Sequence, residues 1–563
     1  MPSARIYGKE YPVAEIFSSY FAFQIASYQR PYAWTTEQAG ELLDDLVGAV
    51  GDSDRGIGEP DPYFLGSIVL IKEDGDPDSE VVDGQQRLAT LAILLAALRA
   101  TLSGKESEDL TDFLYERGSV IRGMPNRYRL RLRPRDEVFF RDYVQEQGSL
   151  TRLDDLDPTL LSDSQKNIRE NALKYFQRLR DMTEEQRISL AKFVATSCYL
   201  VVVSTPNLDS AYRVFSVLND RGLDLSHADI LKAEVIGKIP SSLQETYTDR
   251  WEEAEVRLGR EAFKELFSHI RAIYRKAKLR GTVLKEFRDH VLVKESPENL
   301  IDKVLLPYAD AYEDVKNCSY EGGDKAGSVN EWLTWLNKID NVDWIPPAML
   351  FLSRNVSHPD RLEPFFRDLE RLAAGLMVRR ATINERIERY ARLLKVIEDG
   401  NDLYSTDSPL QLTAAECKAI VKTLDNDLYP MAPIRLYVLL RLDSALSGGG
   451  ATYQYPLITV EHVLPQNPAP GAGWGQLFPW PKDDEWVHRL ANLVLLTRKK
   501  NSAARNYSFE KKKHVYFTTG GVSPFVLTTQ VLNEQEWAPA VLVKRQGTLV
   551  AELKKLWRLE SVE

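Results

Sequence analysis

Cysteine is scarce in this sequence: three residues among 563, Cys198, Cys318 and Cys417, lie far apart. Such spacing excludes a disulfide scaffold and any zinc cluster built from CxxC pairs, and it suits a reducing compartment. Long hydrophobic runs are absent too. The longest, Leu91 to Leu98, falls far short of the roughly 20 residues that a membrane-crossing helix needs. The opening MPSARIYGKE has no apolar core of the kind a signal peptide requires, so a cytoplasmic protein that engages no membrane is expected. Neither GxxxxGKS nor GxxxxGKT occurs, which excludes an ordinary P-loop. Excess positive charge is also missing: 72 Lys and Arg face 82 Asp and Glu, and a net charge of -10 argues against coating nucleic acid through bulk charge.

What is present reads as a folded chain, with 44% apolar and 27% charged residues. Its length predicts several domains, because a single core rarely grows beyond about 250 to 300 residues. Tyr63 to Ile71 and Glu80 to Asp83 read as a hairpin of strands feeding a helix across QQRLATLAILLAALRATL. A buried strand is expected at YLVVVST, then a helix across AYRVFSVLN, a turn at DRG, and a further helix capped by Ser226 with Asp229 three residues on. From about 245 to 440, apolar residues recur three and four apart, the pattern of packed helices. SGGGATYQYP (Ser447 to Pro456) has the composition of a linker. The expected organisation is a multidomain α+β chain: residues 1–240, a helical segment 241–446 and a C-terminal domain 447–563.

Local charge departs from the average. Between Arg489 and Lys513 stand eight basic residues against one acid, Glu510. Arg127, Arg129, Arg131, Arg133 and Arg135 alternate with Tyr128, Leu130, Leu132 and Pro134, the period of a strand with one arginine face. That face would either follow a phosphate backbone or be the solvated side of a half-buried sheet.

The first constellation is VVDGQQRLATL. Asp83 and Gly84 end an apolar strand and a helix opens at once, so the free N–H groups of its first turn gather where an anion is stabilised. Arg87 lies in that turn, with Gln85 and Gln86 able to donate or accept beside it. Upstream, SYQRPYAW sets Gln29 and Arg30 among Tyr28, Pro31, Tyr32 and Trp34; downstream, NDRG supplies Asn219, Arg221 and Gly222. These three segments, in this order, resemble the N-terminal domain of the GmrSD family of modification-dependent restriction enzymes, across about residues 10 to 240. The resemblance implies a ParB- and sulfiredoxin-like fold that binds and hydrolyses a nucleoside triphosphate, GTP or ATP. Asp83, Gly84, Gln85, Gln86 and Arg87 would surround the phosphates, and Gln29, Arg30, Asn219 and Arg221 would line the same pocket.

The second constellation is ITVEHVLPQN, which puts Glu461 and His462 at the end of a β-rich run. Asn492 and Asn501 then flank a short apolar strand, and a helix containing Asn506 is expected after it. Phosphodiester cleavage needs a base for water, a cation at the scissile phosphate and a polar group that fixes the base. His462, Glu461 with Asn501, and Asn492 have the chemistry for those roles. The pattern EHxxPQ followed by NLxLLxxxxN resembles the ββα-metal HNH endonuclease core of GmrSD proteins, across about residues 455 to 517. By that resemblance His462 is the general base, Asn492 orients it, and Glu461 binds metal with Asn501 or Asn506. Oxygen-rich ligation suits Mg²⁺ or Mn²⁺. His488 and His514 read as surface or DNA-contacting residues.

Together these features resemble a type IV restriction enzyme of anti-phage defence, which cuts modified double-stranded DNA at an HNH site governed by a nucleotide-binding domain. Tyr28, Gln29, Pro31 and Tyr32 would sense the modification, a phosphorothioate or an altered cytosine. A homodimer would serve as the switch between sites. The competing expectation is a ParB-like nucleotide-dependent DNA clamp, or a defence sensor, with no cleavage of its own.

Overall fold

A computed structural model describes residues 6–26, 29–53, 61–73, 75–119, 121–207, 210–211, 226–448, 458–478, 484–497, 506–517 and 523–560. The chain forms two compact units, Met1–Asp249 and Arg250–Glu563. Among the described residues, no helix is long and apolar enough to cross a membrane.

The first unit is built on a mixed sheet. Its strands are β1 (Tyr7–Pro12), β2 (Ala22–Ile25), β3 (Tyr63–Ile71), β4 (Asp78–Asp83), β7 (Leu130–Arg131) and β8 (Cys198–Thr205), in the order β1-β8-β3-β4-β2-β7. A small ribbon pairs β5 (Tyr115–Glu116) with β6 (Arg127–Tyr128). The expected hairpin is present: β3 and β4 pair antiparallel, while β3 runs parallel to β8 in the middle of the sheet. The helix Gln85–Thr101 follows β4 at once and is buried on every side from Leu88 to Arg99. A helix apolar all round cannot lie on a surface, and this one forms part of the core that also holds Leu110 and Leu114 of Gly104–Leu114 and Ile168 and Tyr175 of Asp163–Arg180. Ser226 caps the helix His227–Ile236 through a capping box with Asp229. The helix expected across AYRVFSVLN and the turn at DRG fall largely on residues 212–225, outside the described residues.

The arginine alternation does not become one strand. Arg127 and Arg131 lie in separate two-residue strands, and Pro134 starts the helix Pro134–Phe140. Arg129 pairs with Glu116, Arg133 with Asp136 at 2.7 Å and Arg135 with Asp249 at 2.6 Å. Arginines already matched to carboxylates in this way offer no continuous basic face for a phosphate backbone.

The second unit is helical from residue 250 onward, with Pro359–Val378 buried along nearly its whole length. Its C-terminal part adds an antiparallel pair, β9 (Ile458–His462) and β10 (Leu493–Thr497), followed by the helices Phe509–Phe517 and Pro539–Leu556. Asn506 stands before the first of these helices, not inside it. Asp443, near the end of the helix Ala432–Leu446, accepts a bond from Leu527 N at 2.8 Å, which ties that helix to the C-terminal part.

Candidate active site

At the end of β4, Gly84 turns the chain with φ +92°, a left-handed conformation that side chains resist. A Cβ there would meet Ile68 Cγ2 at 2.4 Å, so glycine is required by space as well as by conformation. No side chain caps the helix start, so its first N–H groups lack partners within the helix. Arg87 turns back and donates to Ser67 O at 2.8 Å, with its guanidinium packed against Gly66. Burial pulls its pKa below the ordinary arginine value, and the Asp83 carboxylate partly offsets this.

Gln86 joins the two predicted segments. Its Oε1 accepts from Ala33 N at 2.7 Å and from Trp34 N at 3.3 Å, and its Nε2 donates to Pro31 O at 3.0 Å. Gln29 is buried and donates to Val81 O and Val82 O at 3.3 and 3.1 Å. Tyr32 belongs to the core, its hydroxyl held between Thr90 and Asn171 at 2.8 Å each, and burial pushes its pKa up to about 12. Gln29 and Tyr32, expected to sense the DNA modification, are buried here and hold the loop from within. Arg30 lies 3.7 Å from Asp229 and lines a small cavity of about 10 Å³ with Gln85, Gln86, Arg133 and Asp136. The structure therefore gathers Gln29 to Tyr32 around Gln85 to Arg87, while Tyr28, Asn219 and Arg221 lie outside the described residues.

In the second unit the register of β9 against β10 sets Leu493 opposite His462 and Val494 opposite Glu461. Glu461 is met by Lys512, whose Nζ donates to its Oε1 at 2.7 Å and to His462 O at 2.5 Å. Lys512, counted in the sequence with the basic tail, is fully buried. Burial raises the Glu461 pKa, and the Lys512 ammonium holds part of that shift back. Burial is also the main reason that the His462 pKa falls to about 3, helped by His488, Lys512 and Arg435. Its ring therefore stands neutral at neutral pH, as a proton acceptor must.

Asn492 is fully buried and its amide is completely engaged. Its Oδ1 accepts from Leu464 N at 2.6 Å and Trp537 Nε1 at 3.1 Å; its Nδ2 donates to Leu464 O and Val487 O at 2.9 Å each. It fixes the backbone just after His462 and leaves the ring to other partners. The ring packs on Tyr429 with centroids 3.9 Å apart, and Gln466 Nε2 lies 3.4 Å from both ring nitrogens. His488, read from sequence as a surface or DNA-contacting residue, is half-buried in this group, 5.6 Å from Tyr429 and 5.5 Å from His462 between ring centroids.

Toward a divalent cation the described residues offer one half-buried carboxylate, Glu461, already paired with the Lys512 ammonium, which a cation would have to share or displace. Asn501 lies outside the described residues and Asn506 is exposed. Among the described residues no group of three or more His, Cys, Asp or Glu stands together. Sequence reasoning missed Tyr429 and Arg435, which precede the linker, and misplaced Lys512. Gln466 was visible in EHVLPQN as part of the spacing but without a role.

Residues 13–236 match the family model described as the N-terminal domain of the GmrSD restriction endonuclease, and residues 420–552 match that for the C-terminal domain of GmrSD restriction endonucleases. No curated protein matches the chain.

Proposed function

We propose that this chain, which belongs to the GmrSD restriction endonuclease family, is a type IV enzyme of bacterial defence that cuts modified double-stranded DNA with His462 as its base. The observation that carries this reading is the buried, neutral His462 beside the Glu461–Lys512 pair, at the end of a strand whose following turn Asn492 holds. Water attacking phosphorus gives its proton to the His462 ring as the new P–O bond forms, and the P–O bond to the leaving sugar oxygen breaks. Mg²⁺ or Mn²⁺ held by Glu461 with Asn501 or Asn506 would supply Lewis-acid stabilisation of the phosphate charge. Gln466 and Tyr429 hold the ring, and Asn492 holds the turn that presents it.

The N-terminal domain is proposed to be ParB-like, the C-terminal one an HNH fold, and the segment 241–446 a helical scaffold. In the first unit, Asp83, Gly84 and Gln85 at the helix start, with Arg87 and Arg30, suit the phosphates of GTP or ATP. Arg30, Gln85 and Gln86 also line a cavity of about 10 Å³, room for roughly one water, beside the loop that Gln29 and Gln86 hold. DNA engaging Tyr28 and Pro31 on that loop would then alter nucleotide turnover, and a dimer is one two-state arrangement that would relay it. Supercoiled plasmid, modified and unmodified in parallel, incubated with protein, nucleotide and Mg²⁺ or Mn²⁺, tests the proposal. Nicking by the parent that vanishes in His462→Ala is expected; equal nicking by both would refute it.

A further inference from the structure

Around His462 the charges do not balance. The acid beside it, Glu461, is already neutralised by Lys512. Arg435, on the helix Ala432–Leu446, has no carboxylate partner among the described residues; its guanidinium lies 4.1 Å from the Tyr429 ring centroid and donates to Tyr429 O. On the same ring His488 stacks nearly parallel, at 14°. Its Nδ1 is buried with no hydrogen-bond partner among the described residues. The backbone holds this arrangement, since Leu428 N and Tyr429 N both donate to His488 O, at 3.0 and 3.1 Å.

A half-buried arginine without an acid and a buried ring nitrogen without a partner both call for an external acceptor. Arginine's planar fork favours oxyanions, and imidazole donates to the same oxygens. Both groups pack on one aromatic ring, Tyr429, which also packs on the base His462. We infer that Arg435, Tyr429 and His488 form a binding site for a DNA phosphate next to His462, completed by residues from before the linker. The inference rests on His462 being the base of a DNA-cutting site, and it adds the group that holds the strand there. It also gives the segment before Ser447 a part in substrate binding, consistent with the C-terminal family match beginning at residue 420.

The test separates binding from chemistry. In a His462→Ala background, a short fluorescent duplex, modified and unmodified, is titrated across a salt series by anisotropy. Loss of one phosphate contact in Arg435→Ala should weaken binding about tenfold and lower the slope of log affinity against log salt by about one. Arg435→Lys should restore most of the slope, because the charge returns. His488→Gln breaks no side-chain hydrogen bond among the described residues and so serves as the variant safer for folding. With His462 intact it should raise KM for DNA more than it lowers kcat. Should Arg435→Ala fail to fold, His488→Gln decides the matter. Unchanged slope and KM in the folded variants would overturn the inference. If the parent cuts no DNA, the reading of His462 fails instead, while the salt slopes still report the phosphate contact.

Discussion

Replacing Asn492 by alanine should damage folding before it damages chemistry. The substitution strands two donors, Leu464 N and Trp537 Nε1, and two acceptors, Leu464 O and Val487 O, at a site with no access to solvent. At a net worth of about 1 kcal/mol for each hydrogen bond, the loss is about 4 kcal/mol. Water entering the amide-sized hole would recover part of it, leaving about 2 kcal/mol as a floor. Whole domains are commonly stable by only about 5 to 15 kcal/mol, so either figure is a large share. Urea unfolding followed by tryptophan fluorescence is suited to the measurement, because Trp537 touches the mutated side chain. The transition reporting this region should move down by about 1 to 2 M. Asn492→Asp keeps both accepted bonds but turns an oxygen toward two carbonyls, and at neutral pH it should fare no better. If Asn492→Ala unfolds at the parent's midpoint yet cannot cut DNA, the amide acts in the reaction and its assignment as a backbone anchor is refuted.

His462→Ala should lower cleavage by about 10²- to 10⁴-fold with DNA binding and nucleotide hydrolysis retained, as measured by plasmid nicking beside anisotropy and phosphate release. Gly84→Ala places a methyl group 2.4 Å from Ile68 at positive φ, so it should destabilise the first unit by about 1 to 3 kcal/mol in thermal unfolding. Arg87→Ala should weaken triphosphate binding about tenfold by calorimetry, through loss of a charge-assisted contact at the helix start; modified DNA should stimulate hydrolysis by the parent more than unmodified DNA does. His269 is buried against Tyr312 and its pKa falls to about 4, mainly through burial. The unfolded chain therefore binds the extra proton first, and stability should decline as pH falls from about 6.5 toward 4, a decline that His269→Gln should reduce in urea titrations.

Short-range chemistry was legible in the residues alone. The strand Tyr63–Ile71, the cap at Ser226 and the glycine turn after Asp83 all follow from periodicity and local bonding, which act within a few residues. The pairing of Glu461 with His462 at a strand end was legible for the same reason. Partners distant in sequence were not. Nothing in SYQRPYAW says that Gln29 will bond to Val81 and Val82, or that Tyr32 will bond to Thr90 and Asn171, because those contacts exist only once the sheet and the central helix have assembled. The alternating arginines show the same limit: local period suggested one strand, and the matching of Arg133 with Asp136 and of Arg135 with Asp249 broke it. Lys512 looked like one basic residue among eight until tertiary packing drove it inside against Glu461, since a charge survives burial only where its counter-charge is brought to it. Tyr429 and Arg435 come before the linker in sequence yet pack around His462, so the residues proposed for the reaction could be read locally, while the surroundings that set their charge and geometry came only with the fold.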